Sequence, residues 1–238
     1  MTERFYFRQL LGGLDFALGD PVAEQMVNFA YALGDRETGE ALLVDPAYRP
    51  DELVDLVESD GLRVVGVLAT HYHADHVGGN LAAQHQVAGI VELLERTDVP
   101  VHVQADEAEW VMKRTGVGLD ALHQHDPGDQ VSVGAFDVTL IHTPGHTPGS
   151  QCLLVEGRLI SGDTLFLDGC GRTDLPGSDP EEMYHTLTQR LSDVSDDTVL
   201  FPGHLYSADP SAPMGDIRRH NRALVPATAE QWLAMFAR

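Results

Sequence analysis

The sequence predicts an α/β protein whose sheets are covered by helices, on three observations. Two β-rich blocks follow one another, each trailed by helical segments, which is the pattern of layered α/β architecture. The strand candidates are short apolar runs separated by Gly-containing turns. Several of these runs end directly in loops that carry His or Asp beside a glycine.

In the first block, residues 5–7, 27–33 and 41–44 read as strands of a sheet opened by hairpins, the last ending at Asp45-Pro46. Residues 51–60 place Leu53, Val54 and Val57 at helical spacing behind an acidic first turn. A buried strand over 64–68 completes a β-α-β step and runs into Thr70-His71. Beyond Gly78-Gly79 the pattern predicts helix over 88–96, strand over 101–103 and helix over 105–114. The second block offers strands at 131–133, 136–141, 152–155 and 158–160, with turns at Gly134, Gly145, Gly149 and Gly157. Residues 180–191 read as a helix with Met183, Leu187 and Leu191 on one face, and a strand at 199–201 ends at Pro202-Gly203-His204. No linker interrupts the series, so residues 1–238 are expected to form a single domain, and the two blocks permit a two-halved sandwich.

Composition narrows the function. With 43% hydrophobic and 22% charged residues the chain is ordinary globular material. Asp and Glu outnumber Lys and Arg by 37 to 15, and the resulting charge of −22 repels phosphate backbones and anionic membranes. A nucleic-acid or membrane partner is therefore not expected, and solubility or adaptation to salt accounts for the acidity. Two cysteines, Cys152 and Cys170, fit a reducing compartment. Arg8 and Asp15 interrupt the N-terminal apolar stretch, no later run reaches membrane-span length, and a cytoplasmic location is expected.

The chemistry concentrates in His71-Tyr72-His73-Ala74-Asp75-His76. Four of these side chains can donate to a metal, a density that a solvated turn does not explain. On an extended segment leaving a strand, His71 and His73 point the same way and can share one cation, while Asp75 and His76, beyond a turn, can face a second. Further donors are available at three strand ends: His142 or His146 in the Pro- and Gly-rich loop 142–150, Asp163 after Gly162, and His204 after Gly203. Spacing does not choose between His142 and His146.

The ordered series HYHADH, TPGHTPGS, GDTLF and PGH resembles the motif series of the metallo-β-lactamase superfamily. The resemblance implies a four-layer αβ/βα sandwich with metals at one edge. It implies that His71, His73 and His146 bind one divalent cation, that Asp75, His76 and His204 bind a second, and that Asp163 bridges them; family pattern thus prefers His146. Asp75 and Asp163 are the implied catalytic carboxylates. Such a dinuclear site, zinc first and iron second, generates hydroxide at neutral pH and stabilises the oxyanion formed on a carbonyl.

Within the superfamily, His73 departs from the flavodiiron reductases and Asp163 from those zinc β-lactamases that place Cys there, while the charge opposes the nuclease branches. GDTLF followed by GCGR resembles both glyoxalase II, a thioester hydrolase, and the persulfide dioxygenases, while GRTD is more similar to the persulfide dioxygenases. The first resemblance implies hydrolysis of a small-molecule thioester. The second implies oxidation of a persulfide by a single iron(II) on His71, His146 and Asp163. A catalytically silent binding module ranks below both, because every expected ligand is present. Arg172 of GCGR is the candidate anchor for a substrate carboxylate, with pairing to Asp174 as the competing role. Arg218, Arg219 and Arg222 offer further basic groups after His204. Cys170 reads as a small packed thiol, and His123, His125 and Asp126 as part of a loop approaching the site.

Overall fold

A computed structural model describes residues 3–82, 85–225 and 228–236. The first half of the chain builds one six-stranded sheet from β1 (Phe5–Leu11), β2 (Phe29–Asp35), β3 (Glu40–Val44), β4 (Arg63–Leu68), β7 (Val101–Gln104) and β8 (Leu122–His125), in the order β1-β2-β3-β4-β7-β8. A small hairpin, β5 (Gly79–Ala82) and β6 (His85–Val87), stands apart from it. The second half forms a sheet ordered β14-β13-β12-β11-β10-β9 from β9 (Gln130–Val133), β10 (Phe136–His142), β11 (Gln151–Val155), β12 (Arg158–Gly162), β13 (Val199–Pro202) and β14 (Ala212–Pro213). The helices are α1 (Pro21–Met26), α2 (Pro50–Ser59), α3 (Ala74–Val77), α4 (Ile90–Arg96), α5 (Ala105–Thr115), α6 (Pro180–His185), α7 (Met214–His220) and α8 (Ala229–Phe236).

Strand periodicity explains the four layers. In β3, Ala41 and Leu43 join one buried cluster with Leu53 and Val57 of α2, whereas Leu42 and Val44 face a second cluster with Leu140, Leu153 and Ile160 of the other sheet. Alternate side chains point to opposite faces, so a run that is apolar at every position must be covered on both. In β2 the helix-facing positions are Ala30 and Ala32 and the sheet-facing ones Phe29, Tyr31 and Leu33. A third cluster, with Leu159, Met183, Leu200, Ile217 and Trp232, seals the second sheet against α6, α7 and α8. Three apolar interfaces between four layers give the αβ/βα sandwich.

Differences from expectation are local. Asp20 caps α1 by accepting from the Val22 and Ala23 N–H groups, and Val27 leaves that helix in a left-handed conformation, so β2 starts at Phe29. Helix α4 starts at Ile90 because Gly89 is pressed against the backbone of Val77 and Gly78. The helix expected over 180–191 holds α-geometry only to His185 and continues to Arg190 with wider turns. His123 and His125 are not on a loop approaching the site. They lie on edge strand β8, where His125 Nε2 is 2.9 Å from His102 Nδ1. Among the described residues no helix is long and apolar enough to cross a membrane.

β3 runs parallel to β4 and β12 parallel to β13. The carboxyl ends of these strands deliver Asp45, His71, Asp163 and His204 to one edge of the sandwich, the usual position of α/β sites.

Candidate metal centre

Each donor loop is shaped by a tight approach. Gly162 has φ +49, and a Cβ there would lie 2.5 Å from Thr70 Oγ1 and 2.7 Å from Thr70 Cβ, so only glycine lets β12 present Asp163 against the β4 loop. After β4 the chain bends at Thr70, and His73 is extended before the turn into α3, which carries Asp75 and His76. The rings of His71 and His73 are 4.8 Å apart, and His73 Nδ1 lies 3.0 Å from His146 Nε2. His71, His73 and His146 thus converge, as do Asp75, His76 and His204, and each set can hold a metal ion. His142 does not join them; its Nε2 is 2.9 Å from the Pro148 carbonyl.

Asp163 stands between the two groups. Its Oδ2 is 3.7 Å from His146 Nε2 and 3.3 Å from His204 Nε2, and its Oδ1 is 3.4 Å from His76 Nε2. Asp75 Oδ2 lies 3.6 Å from His76 Nε2 and 3.4 Å from His204 Nε2, and these two nitrogens are 3.3 Å apart. Tetrahedral donors about 2.1 Å from a common centre sit about 3.4 Å apart, so this set matches the bond lengths of zinc and similar cations. His71 Nε2 and Asp163 Oδ1 are buried with no hydrogen-bond partner among the described residues, a costly arrangement that a cation would relieve.

The outward nitrogens explain which atoms face inward. His76 Nδ1 donates to Asp45 Oδ2 at 2.9 Å, His146 Nδ1 to the Arg172 carbonyl at 2.8 Å, and His204 Nδ1 to the Met26 carbonyl at 2.8 Å. His71 Nδ1 is 3.0 Å from Thr70 Oγ1, which itself donates to Asp45. Such partners set the tautomer and turn Nε2 inward as the coordinating atom. Burial, reinforced by neighbouring imidazoles, keeps His71 well below its ordinary range and lowers His73 to about 3. Burial pushes the Asp163 carboxyl up, but His204, His76 and His71 together outweigh it and hold it ionised. Burial also disfavours charge on His76, yet Asp163, Asp75 and Asp45 carry it to about 10, so the second group of donors demands positive charge. A cation meeting that demand would displace the proton.

Several contributors escaped the sequence reading. Asp45 accepts from the Thr70 N–H at 2.7 Å and from its hydroxyl at 2.6 Å, tying β3 to the histidine segment. Buried Asn28 places Nδ2 3.1 Å from Asp75 Oδ2, with its Oδ1 accepting from Tyr48 at 2.8 Å. Only the strand-end position of Asp45 hinted at its role; nothing in the spacing singled out Asn28. Tyr206 stacks on His204 with ring centroids 4.7 Å apart. A cavity of about 700 Å³ opens over the donors, with Tyr72, Arg114, Phe166, Arg172, Tyr206 and Arg222 in its walls. The Arg172 side chain is 68% exposed and pairs with Asp174 at 2.9 Å, whereas its main chain holds His146. Arg222 sits 3.7 Å from Asp168, while Arg218 and Arg219 pair with Asp196 and Asp216. Cys170 also lines the cavity, and burial pushes its thiol up to about 12, so it stays protonated at neutral pH.

The family model described as the metallo-beta-lactamase superfamily matches residues 26–204, which contain every one of these donors. The chain belongs to this superfamily. A probable polyketide biosynthesis zinc-dependent hydrolase, BaeB of Bacillus velezensis, is 29% identical over 194 residues, covering 82% of this chain and 80% of the relative. The mitochondrial persulfide dioxygenase ETHE1 of Homo sapiens is 31% identical over 182 residues, covering 75% of this chain and 64% of that protein. The crystal structure of ETHE1 from Myxococcus xanthus superimposes with a TM-score of 0.77 at 28% identity, covering 97% of this chain and 89% of that one. Members of this superfamily are mostly metal-dependent hydrolases or related enzymes, and hydrolase and dioxygenase relatives both stand close to the chain.

Proposed function

We propose that this protein hydrolyses a thioester of a small thiol at a dinuclear metal site. His71, His73 and His146 hold one cation, Asp75, His76 and His204 the other, and Asp163 serves both. The observation that carries this reading is the second donor set. Asp75, His76 and His204 close on Asp163 with separations of 3.3–3.6 Å, a spacing that fits a second cation beside the first. The zinc-dependent hydrolase among the relatives supports it.

When bound, the cations would lower the pKa of a shared water towards about 7 and stabilise negative charge developing on a carbonyl oxygen. The protein supplies the rest. Ionised Asp163 and the outward-tethered imidazoles hold the donors in place before substrate arrives. Phe166 and Tyr206 wall the cavity beside His204, and Arg172 at its rim is the proposed carboxylate anchor once it releases Asp174. A thiolate leaves without strong acid assistance, and no protein nucleophile is required: the Cys170 thiol is held protonated. The charge of −22 disfavours nucleic acid as substrate.

The second reading is a persulfide dioxygenase using a single iron(II) on His71, His146 and Asp163, favoured by the identity to the human enzyme of that name. Apoprotein loaded anaerobically with zinc or iron and offered a panel of thioesters and persulfides separates the two. The expected result is two metals per chain and thioester cleavage without oxygen uptake. One iron per chain, with oxygen consumed on a persulfide, overturns the hydrolase.

A further inference from the structure

The first set of donors comes from two loops on different sheets: His71 and His73 follow β4, and His146 follows β10. Strand pairing within either sheet cannot set the distance between them. On the strand side the loops are joined by Gln151, whose N–H donates to the Thr70 carbonyl at 2.9 Å and whose Nε2 donates to the Ala69 carbonyl at 2.8 Å. On the far side a single carboxylate spans the gap. Glu107, in the first turn of α5 and 1% exposed, accepts the Tyr72 N–H on Oε1 at 2.7 Å and the Gly149 N–H on Oε2 at 2.7 Å. Tyr72 lies between His71 and His73, and Gly149 lies three residues beyond His146. Gly149 is pressed onto α5 so closely that a Cβ would lie 2.6 Å from Glu107 Cβ and 2.8 Å from its Cα.

We propose that Glu107 is a positioning residue for the first cation, one rigid carboxylate that fixes the His71–His73 segment and the His146 loop at coordinating separation. The inference rests on the ligand assignment proposed above. The choice of residue supports it. A buried carboxylate with no ion pair among the described residues is a poor way to fill a core. Burial pushes Glu107 up to about 7 in spite of its hydrogen bonds, and the neighbouring charge that acts on it is another acid, Asp106. Stability alone would be served better by an apolar side chain. What an apolar side chain cannot do is hold two main-chain N–H groups of separate loops, about 2.7 Å from each, on one planar group.

Zinc titration of apoprotein tests this when the two donor sets are measured one at a time. His204→Ala leaves the first set intact and His146→Ala leaves the second. In the His204→Ala background, Glu107→Ala is expected to weaken zinc binding roughly 10–100-fold, the range for supports of metal ligands. Glu107→Gln, which keeps one acceptor but sets an NH2 against the other N–H, should fall between. In the His146→Ala background both variants should bind zinc within about twofold of the parent, an asymmetry that a merely structural role would not produce. If Glu107→Ala fails to fold, the near-isosteric Gln variant carries the comparison. Equal losses in both backgrounds, or none in the first, overturn the proposal. If His146→Ala by itself does not weaken zinc binding, the ligand assignment falls, and this inference with it.

Discussion

Gly162→Ala puts the packing of the metal centre to a quantitative test. The new methyl would meet Thr70 Cβ at 2.7 Å, whereas carbon atoms rest about 3.5–4.0 Å apart, so Thr70 or the Gly162 backbone must retreat by about 1 Å. Gly162 cannot yield easily, because its carbonyl accepts the Gly203 N–H at 2.8 Å. Thr70 cannot yield without cost, because its N–H and hydroxyl hold Asp45, and Asp45 holds His76. Left-handed backbone adds about 1–2 kcal/mol and overpacking about 1–3, giving a loss of roughly 2–5 kcal/mol. For a chain of this length that lowers Tm by on the order of 10 °C. A misplacement of about 1 Å near Asp163 and His71 should also cut the metal-dependent rate about 10²-fold. Gly157→Ala is the control. It has φ +68 but no atom of the described residues within 4 Å of the added Cβ, so it should cost only the backbone preference and leave metal binding intact. Denaturant melts and zinc titrations of the two variants decide the matter. Equal destabilisation, with Gly162→Ala retaining full zinc affinity, would refute the contact argument.

Other expectations follow from the same geometry. Asp163→Ala, which removes the carboxylate shared by both donor sets, should reduce turnover by more than about 10²-fold under either reaction scheme; surviving activity would displace the site assignment. Arg4, with the N–H groups of Glu37 and Ala135, holds buried Asp35 below the usual carboxylate range. A depressed folded pKa adds stability above the unfolded value near 3.9 that disappears as pH falls through the folded value. Wild type should therefore melt above Asp35→Asn at neutral pH, with the two converging in acid; a gap independent of pH would contradict this. Trp232→Ala, which empties a fully buried site and leaves the Ala223 carbonyl without its 3.0 Å donor, should cost about 3–5 kcal/mol in denaturant melts.

Much of the fold was legible because it is written in local periods. Runs such as residues 41–44, apolar at every position, require cover on both faces, and helices such as α2 advertise their buried side at helical spacing. Elements defined by capping or close approach were harder: α1 depends on Asp20, and the start of α4 on backbone packing at Gly89. At the site, the cluster from His71 to His76 stood out because its donors are crowded into one segment. His142 and His146 were equivalent by spacing, and the fold separates them by turning one to the Pro148 carbonyl and the other to His73.

The sequence by itself determined the donor types, their places at strand ends and the superfamily, because strand period, loop composition and motif order are properties of neighbouring residues. The tertiary structure decided how those donors are held. Asp45, Asn28 and Glu107 are isolated in the chain and carry no motif, yet each meets the site through contacts spanning 31, 47 and 35 residues. Arg172 was singled out for its side chain, but the fold also uses its carbonyl to orient His146. Which nitrogen of an imidazole faces a cation depends on what the other one touches, and those partners are brought together only when the two sheets close on each other.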